Sequence, residues 1–173
     1  MPIVAVILLT LGFWTVFWFV RMGGIEHFQA KAQQRKEDAR QAEARERARS
    51  ATLRAVEDPR DAATILMLLM ARIGGDPTRE QIKAIESRVR AVFGFDDELT
   101  EHMTQARFLA SRAESFEQAA GVFAGRLSKW LTVDERHELV SMLAEVARQE
   151  GPSSAQIEAI ELLKRRIGLA PAY

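Results

Sequence analysis

Residues 58–75 read DPRDAATILMLLMARIGG, and this run decides the fold class. Asp58 followed by Pro59 is a helix start: the aspartate accepts from the free amides of the first turn, and the N–H that proline lacks is an orphan there anyway. Behind it Ile65, Leu66, Leu69, Met70 and Ile73 fall on one helical face, and Gly74-Gly75 stops the run. The spacing predicts a buried helix.

The same grammar continues toward the carboxyl end. Thr78 with Gln81 has capping-box spacing and opens a helix carrying Ile82, Ile85, Val89 and Val92 up to Gly94. Asp96 is the expected cap of a third helix with Leu99, Met103, Ala106 and Leu109, and Ser115 that of a fourth with Phe116, Ala120, Phe123, Leu127 and Trp130. Those aromatics read as core. Thr132 with Glu135 opens a helix with Leu139, Met142, Leu143 and Val146, and Ser153 with Gln156 one with Ile157, Ile160, Leu163 and Ile167 before Gly168. No segment alternates with period two between hairpin turns, so strands are not expected. The expectation for 57–173 is a compact all-α bundle of about six helices.

Two parts of this bundle echo one another. Pro77-Thr78 and then Gln81-Ile82-x-Ala84-Ile85-Glu86 return as Pro152-Ser153 and then Gln156-Ile157-x-Ala159-Ile160-Glu161. Each helix closes on a glycine, Gly94 and Gly168, and each follows an apolar helix ending in Ala-Arg, at Ala71-Arg72 and Ala147-Arg148. A duplicated helix-turn-helix accounts for the pattern.

Upstream the composition changes twice. Residues 1–22 contain the uncharged run from Pro2 to Val20, which at helical rise spans roughly 30 Å, the thickness of a bilayer's hydrocarbon core. A cleaved secretory signal is the rival reading, but no Lys or Arg precedes the run and Ala30-Lys31-Ala32 lies far downstream. The expectation is a single spanning helix in a bacterial inner membrane. Arg21, Lys31, Arg35, Lys36 and Arg40 follow it and nothing basic precedes it, which predicts a periplasmic amino terminus and a cytoplasmic helical domain. Trp14, Trp18 and Phe19 near Arg21 suit an interfacial belt better than a pigment or quinone contact. Thr10, Gly12 and Thr15 are small or weakly polar positions at which another helix can approach closely.

Residues 23–56 form the second change. From Glu26 to Arg54 the chain is rich in Ala, Gln, Arg, Glu and Lys, has no Pro or Gly, and carries almost no large apolar residue. This is helix-forming material without a core face, a charged stalk on the order of 40 Å long. Glu43 with Arg47 and Glu37 with Arg40 sit one turn apart and support it locally. The alternatives are lipid-headgroup contact by the basic residues and self-association as a coiled coil, whose seam here would be alanine in place of Leu and Ile.

The layout resembles the TerB-like domain of tellurite-resistance proteins, which also occurs in membrane-anchored J-domain co-chaperones. The resemblance covers Pro59 to Leu169 and rests on the paired helix-turn-helix units, their glycine turns and the order of apolar helices. No His-Pro-Asp tripeptide occurs in the sequence, so stimulation of an Hsp70 is not expected. In the family the turns carry an Asp-Gly and an early Glu that imply divalent metal binding. Here those positions fall on Gly74 and Gln149 and on Gln81 and Gln156, leaving Asp76 and Glu150 as the nearby oxygen donors. No bound metal and no cofactor are expected.

Chemistry elsewhere is sparse. With 24 basic and 24 acidic side chains the chain has no net charge to draw it to nucleic acid. It has no cysteine, hence no disulfide, thiolate site or cysteine nucleophile. Of three histidines, His27 starts the stalk, while His102 one turn after Glu98 and His137 one turn after Asp134 suggest local pairs on helix surfaces. Neither HExxH spacing, a phosphate loop nor a nucleophile elbow is present. The expectation is a non-enzymatic interaction module, an accessory or scaffold subunit of a larger integral-membrane complex such as a respiratory or photosynthetic one. The alternative is a tellurite- or metal-stress protein with weak divalent binding.

Overall fold

The computed structural model describes residues 24–169, with side chains from Asp38 onward. The Pro2–Val20 run, with Thr10, Gly12, Trp14, Thr15, Trp18 and the following Arg21, lies outside the described residues. Among those described, the chain is all-α, with seven helices and no strand. None of these helices is long and apolar enough to cross a membrane.

Two units divide at Arg45 and Glu46. Of the first, α1 (Gly24–Arg54) supplies the described residues, and from Asp38 to Arg45 every one of them is exposed. An even scatter of charge and alanine gives this stretch no side to bury. In the second unit the end of α1 and the residues just after it behave differently: Leu53 is fully buried and Val56 nearly so. Arg126 donates to the carbonyls of Val56 (2.7 Å) and Arg54 (2.6 Å), satisfying orphan acceptors at the helix end. Gln118 reaches back to Glu46 at 2.7 Å.

The run quoted at the outset becomes α2 (Pro59–Arg72), capped by Asp58, whose carboxylate accepts from the Arg60 amide at 2.8 Å. Sequence spacing assigns it one apolar face, but every residue from Ala62 to Ala71 is buried. The reason is its position: α2 packs on α3 (Arg79–Phe93), α4 (Leu99–Arg112), α5 (Phe116–Trp130) and α6 (Val133–Arg148). Its Thr64 hydroxyl is satisfied within the helix by the Arg60 carbonyl, at 2.8 Å. Each large aliphatic side chain removed from water here contributes roughly 1.5–3 kcal/mol.

The remaining helices close around that axis, with α7 (Ser154–Arg166) against α5 and α6. Capping boxes form at Thr78/Gln81, Thr132/Glu135 and Ser153/Gln156, and Ser115 caps α5. Asp96 does not cap α4: the helix begins at Leu99, and Glu98 at the cap makes no side-chain hydrogen bond. Phe95 is buried in edge contact with Phe93 and stacked on His102, so Asp96 to Glu98 are taken up by the turn that follows it. Two residues assigned to apolar faces point outward instead: Val92 is 39 % exposed and Ile157 50 %. Between elements, Arg88 of α3 pairs with Glu145 of α6, and Arg107 of α4 with Glu86 of α3 at 3.0 Å.

Candidate functional site

Where α2 begins, α3 ends and α6 turns one face outward, the surface holds a half-open groove of about 730 Å³. Its α6 wall is formed by Glu135, Glu138, Leu139 and Met142, spaced three, four and seven residues apart and therefore on one side of that helix. Pro59 and Ala63 of α2, Val92 and Phe93 of α3 and Leu131 before α6 complete the apolar part. Val92 is left standing because Gly94, in the left-handed region at φ 70°, ends α3 one residue after Phe93 and turns the chain away before another element covers it.

The edge of the groove is acidic. Glu57, Asp58, Glu135 and Glu138 border it against a single cation, Arg60. That guanidinium is committed: its Nη2 donates to Asp58 Oδ2 at 2.7 Å and its Nε to both Asp58 oxygens at 3.1 Å, and it lies 4.6 Å from the Phe95 ring centre. The Arg60 hydrogen bond holds the Asp58 carboxyl below the usual aspartate value against the opposing effect of burial. Glu135 is likewise held low, by the Thr132 amide and hydroxyl at 2.7 and 2.8 Å, so both carboxylates are anionic at neutral pH. Glu57 and Glu138 are exposed.

Behind Arg60 stands a buttress. His102 stacks on Phe95 with ring centres 3.7 Å apart, and its Nδ1 lies 3.0 Å from Asp61 Oδ1. The expected surface pair with Glu98 is the longer contact, at 3.7 Å. Burial of Phe95 draws the imidazole inward across α2, where Asp61 is within hydrogen-bond reach. His137 is exposed.

The residues implicated by the family resemblance are scattered. Asp76 and Glu150 are exposed, one in the turn after α2 and the other in the turn after α6. Gln81 and Gln156 are buried, both at 4 % exposure, and serve as the third residue of a capping box; Gln156 Nε2 also donates to the Met70 carbonyl at 3.2 Å. Gly74 has φ 104° in its turn and Gln149 is exposed. Among the described residues, no three His, Cys, Asp or Glu side chains gather as a metal site.

The groove was not foreseen in the sequence. Glu57 and Glu138 read as ordinary charged surface, and Val92 shares its helical spacing with Ile82, Ile85 and Val89. A signal for it does exist: α6 carries carboxylates and large apolar residues on the same face, which an ordinary surface helix does not do. No protein-family model, characterised protein or solved structure matches the chain.

Proposed function

We propose that the chain is a non-enzymatic interaction module, anchored in a bacterial inner membrane by the Pro2–Val20 run with its helical unit on the cytoplasmic side, and that it serves a larger integral-membrane assembly as an accessory or scaffold subunit. The groove is the observation that carries this reading. An apolar surface bounded by polar groups marks a site of association, and here Val92 stays uncovered beside Phe93, Leu139 and Met142 within such a boundary. Two of its carboxylates are engaged with helix-start amides, a structural task. Pro59 to Leu169 is read as TerB-like on its paired helix-turn-helix units. In the anchor, Thr10, Gly12 and Thr15 are the positions at which a partner's spanning helix would approach.

The test is gentle detergent extraction through a carboxyl-terminal tag, with co-purifying proteins identified by mass spectrometry, run in parallel on Val92→Gln. Stoichiometric recovery of one integral-membrane complex, depleted in the variant, is the expected result. Recovery of the protein alone removes the accessory-subunit reading, and equal recovery with the variant moves the contact away from the groove.

A further inference from the structure

We infer that the groove binds a basic amphipathic helix, a segment with an apolar stripe at helical spacing and Lys or Arg along its flanks, contributed by the cytoplasmic juxtamembrane region of an integral-membrane partner. The inference rests on the docking reading above and adds the chemistry of the occupant. Charge complementarity is the argument. Glu57 and Glu138 stand exposed beside the apolar floor, Glu135 is engaged by the Thr132 amide and hydroxyl, and Arg60, the one cation of the lining, is committed to Asp58 and Phe95, which leaves the edge acidic. The carboxyl end of α3 at Phe93 adds the negative end of a helix dipole, while the positive amino ends of α2 and α6 are already answered by Asp58 and Glu135.

An apolar floor between carboxylates matches the helix-in-groove mode, in which side chains at i, i+3, i+4 and i+7 fill the groove and flanking charges set register and orientation. Other occupants fit less well. Anionic lipid headgroups are repelled by the same carboxylates. The charged segment of a second copy is basic but offers alanines where the floor calls for large apolar groups. Juxtamembrane cytoplasmic segments, in contrast, carry an excess of Lys and Arg by the positive-inside rule.

The experiment uses the full chain in nanodiscs of zwitterionic lipid, with empty nanodiscs as baseline, and a fluorescent Leu/Lys peptide of about 18 residues whose leucines form one helical stripe. Fluorescence anisotropy compares it with a Leu/Glu analogue and with a scrambled Leu/Lys peptide lacking the stripe. The striped Lys peptide is expected to bind about tenfold or more tightly than either control, and less tightly as salt is raised. Glu57→Lys with Glu138→Lys, at exposed positions that leave the helical circular dichroism unchanged, is expected to weaken it about tenfold, with the double Gln variant between. Equal binding of the Lys and Glu peptides, or indifference to the charge reversals, overturns the inference. If Val92→Gln weakens every peptide while the charge reversals change nothing, docking at the groove stands and the basic occupant falls; if neither class of variant matters, both fall. Self-association lost in the charge-reversed chain would assign the groove to a second copy and likewise overturn the inference.

Discussion

The two copies of the turn-helix motif, Pro77 to Gly94 and Pro152 to Gly168, start in the same way and finish differently. Each opens with a complete capping box and buries its glutamine. At the far end α7 is sealed. Gly168, at φ 78°, donates to the Arg165 carbonyl at 3.4 Å and Leu169 to that of Lys164 at 2.9 Å, a Schellman closure, and Arg136 Nη1 donates to the Ile167 carbonyl at 3.1 Å. The end of α3 closes on a single bond, Gly94 N–H to the Arg90 carbonyl at 3.1 Å, and presents Val92 and Phe93 to the groove. The opening of each copy is set by residues three apart in the chain. Its closing depends on which neighbour reaches it, and that is where a duplicated unit is free to acquire a surface of its own.

The strongest way to break the comparison is through the buried isoleucines that occupy equivalent positions, Ile85 and Ile160. Truncation to alanine costs about 2–5 kcal/mol at such sites, and Ile85, fully enclosed, is expected toward the upper end and Ile160, at 8 % exposure, toward the lower. Urea unfolding of the two variants checks the order; a larger loss at Ile160→Ala would make the second copy the principal packing unit. Next in size is Arg136→Ala. Besides Ile167, the guanidinium serves the carbonyls of Ser128 (2.7 Å) and Leu131 (3.1 Å), so its loss is expected to cost about 2–3 kcal/mol. The seal would open with it, read as faster amide exchange at Gly168 and Leu169. Gln156→Ala should cost about 1–2 kcal/mol, since it removes both the capping-box contact and the buried bond to Met70, while Gln81→Ala, which removes the capping-box contact, should cost about 1 kcal/mol. Equal losses would mean that the Met70 bond adds nothing to the second copy.

Helix starts were legible because they are local chemistry: Thr78 and Gln81, Thr132 and Glu135, Ser153 and Gln156 need no more than three residues to find their partners. The start of α4 was not, because what displaces it from Asp96 to Leu99 is the burial of Phe95 against a histidine seven positions on. Periodicity groups Ile85 and Leu163, which are buried, with Val92 and Ile157, which are exposed, since spacing tells which residues share a face and not how far along the helix a neighbour extends. Leu53 has Val56 as its one large apolar companion at helical spacing, too short a stripe to be read as a core face, and only its burial in the fold reveals it as core. The groove combines both difficulties: its lining comes from three stretches distant in sequence, and its acidic edge consists of residues that look like solvated surface one at a time.

The smallest effect separates the helices that precede the two copies. Helix α2 starts on Asp58, a cap that itself titrates, whereas α6 starts on Thr132, whose titrating partner Glu135 sits at the other end of the capping box. The Asp58 carboxyl is depressed by its hydrogen bond with Arg60, so its contribution is complete above the unfolded value of about 3.9 and is lost as pH falls through the lower folded value. Asp58→Asn keeps a competent cap but gives up the charge, and is expected to cost about 1 kcal/mol at neutral pH after allowance for solvent exposure of the pair. Thermal unfolding of both proteins followed from neutral pH downward should show the two curves converging in acid, the wild type losing its advantage as Asp58 protonates. Curves that stay parallel would mean that Arg60 is not committed to Asp58 in solution. The guanidinium would then be free to neutralise Glu57 or Glu138, and the acidic edge on which the choice of a basic occupant depends would be weaker by one charge.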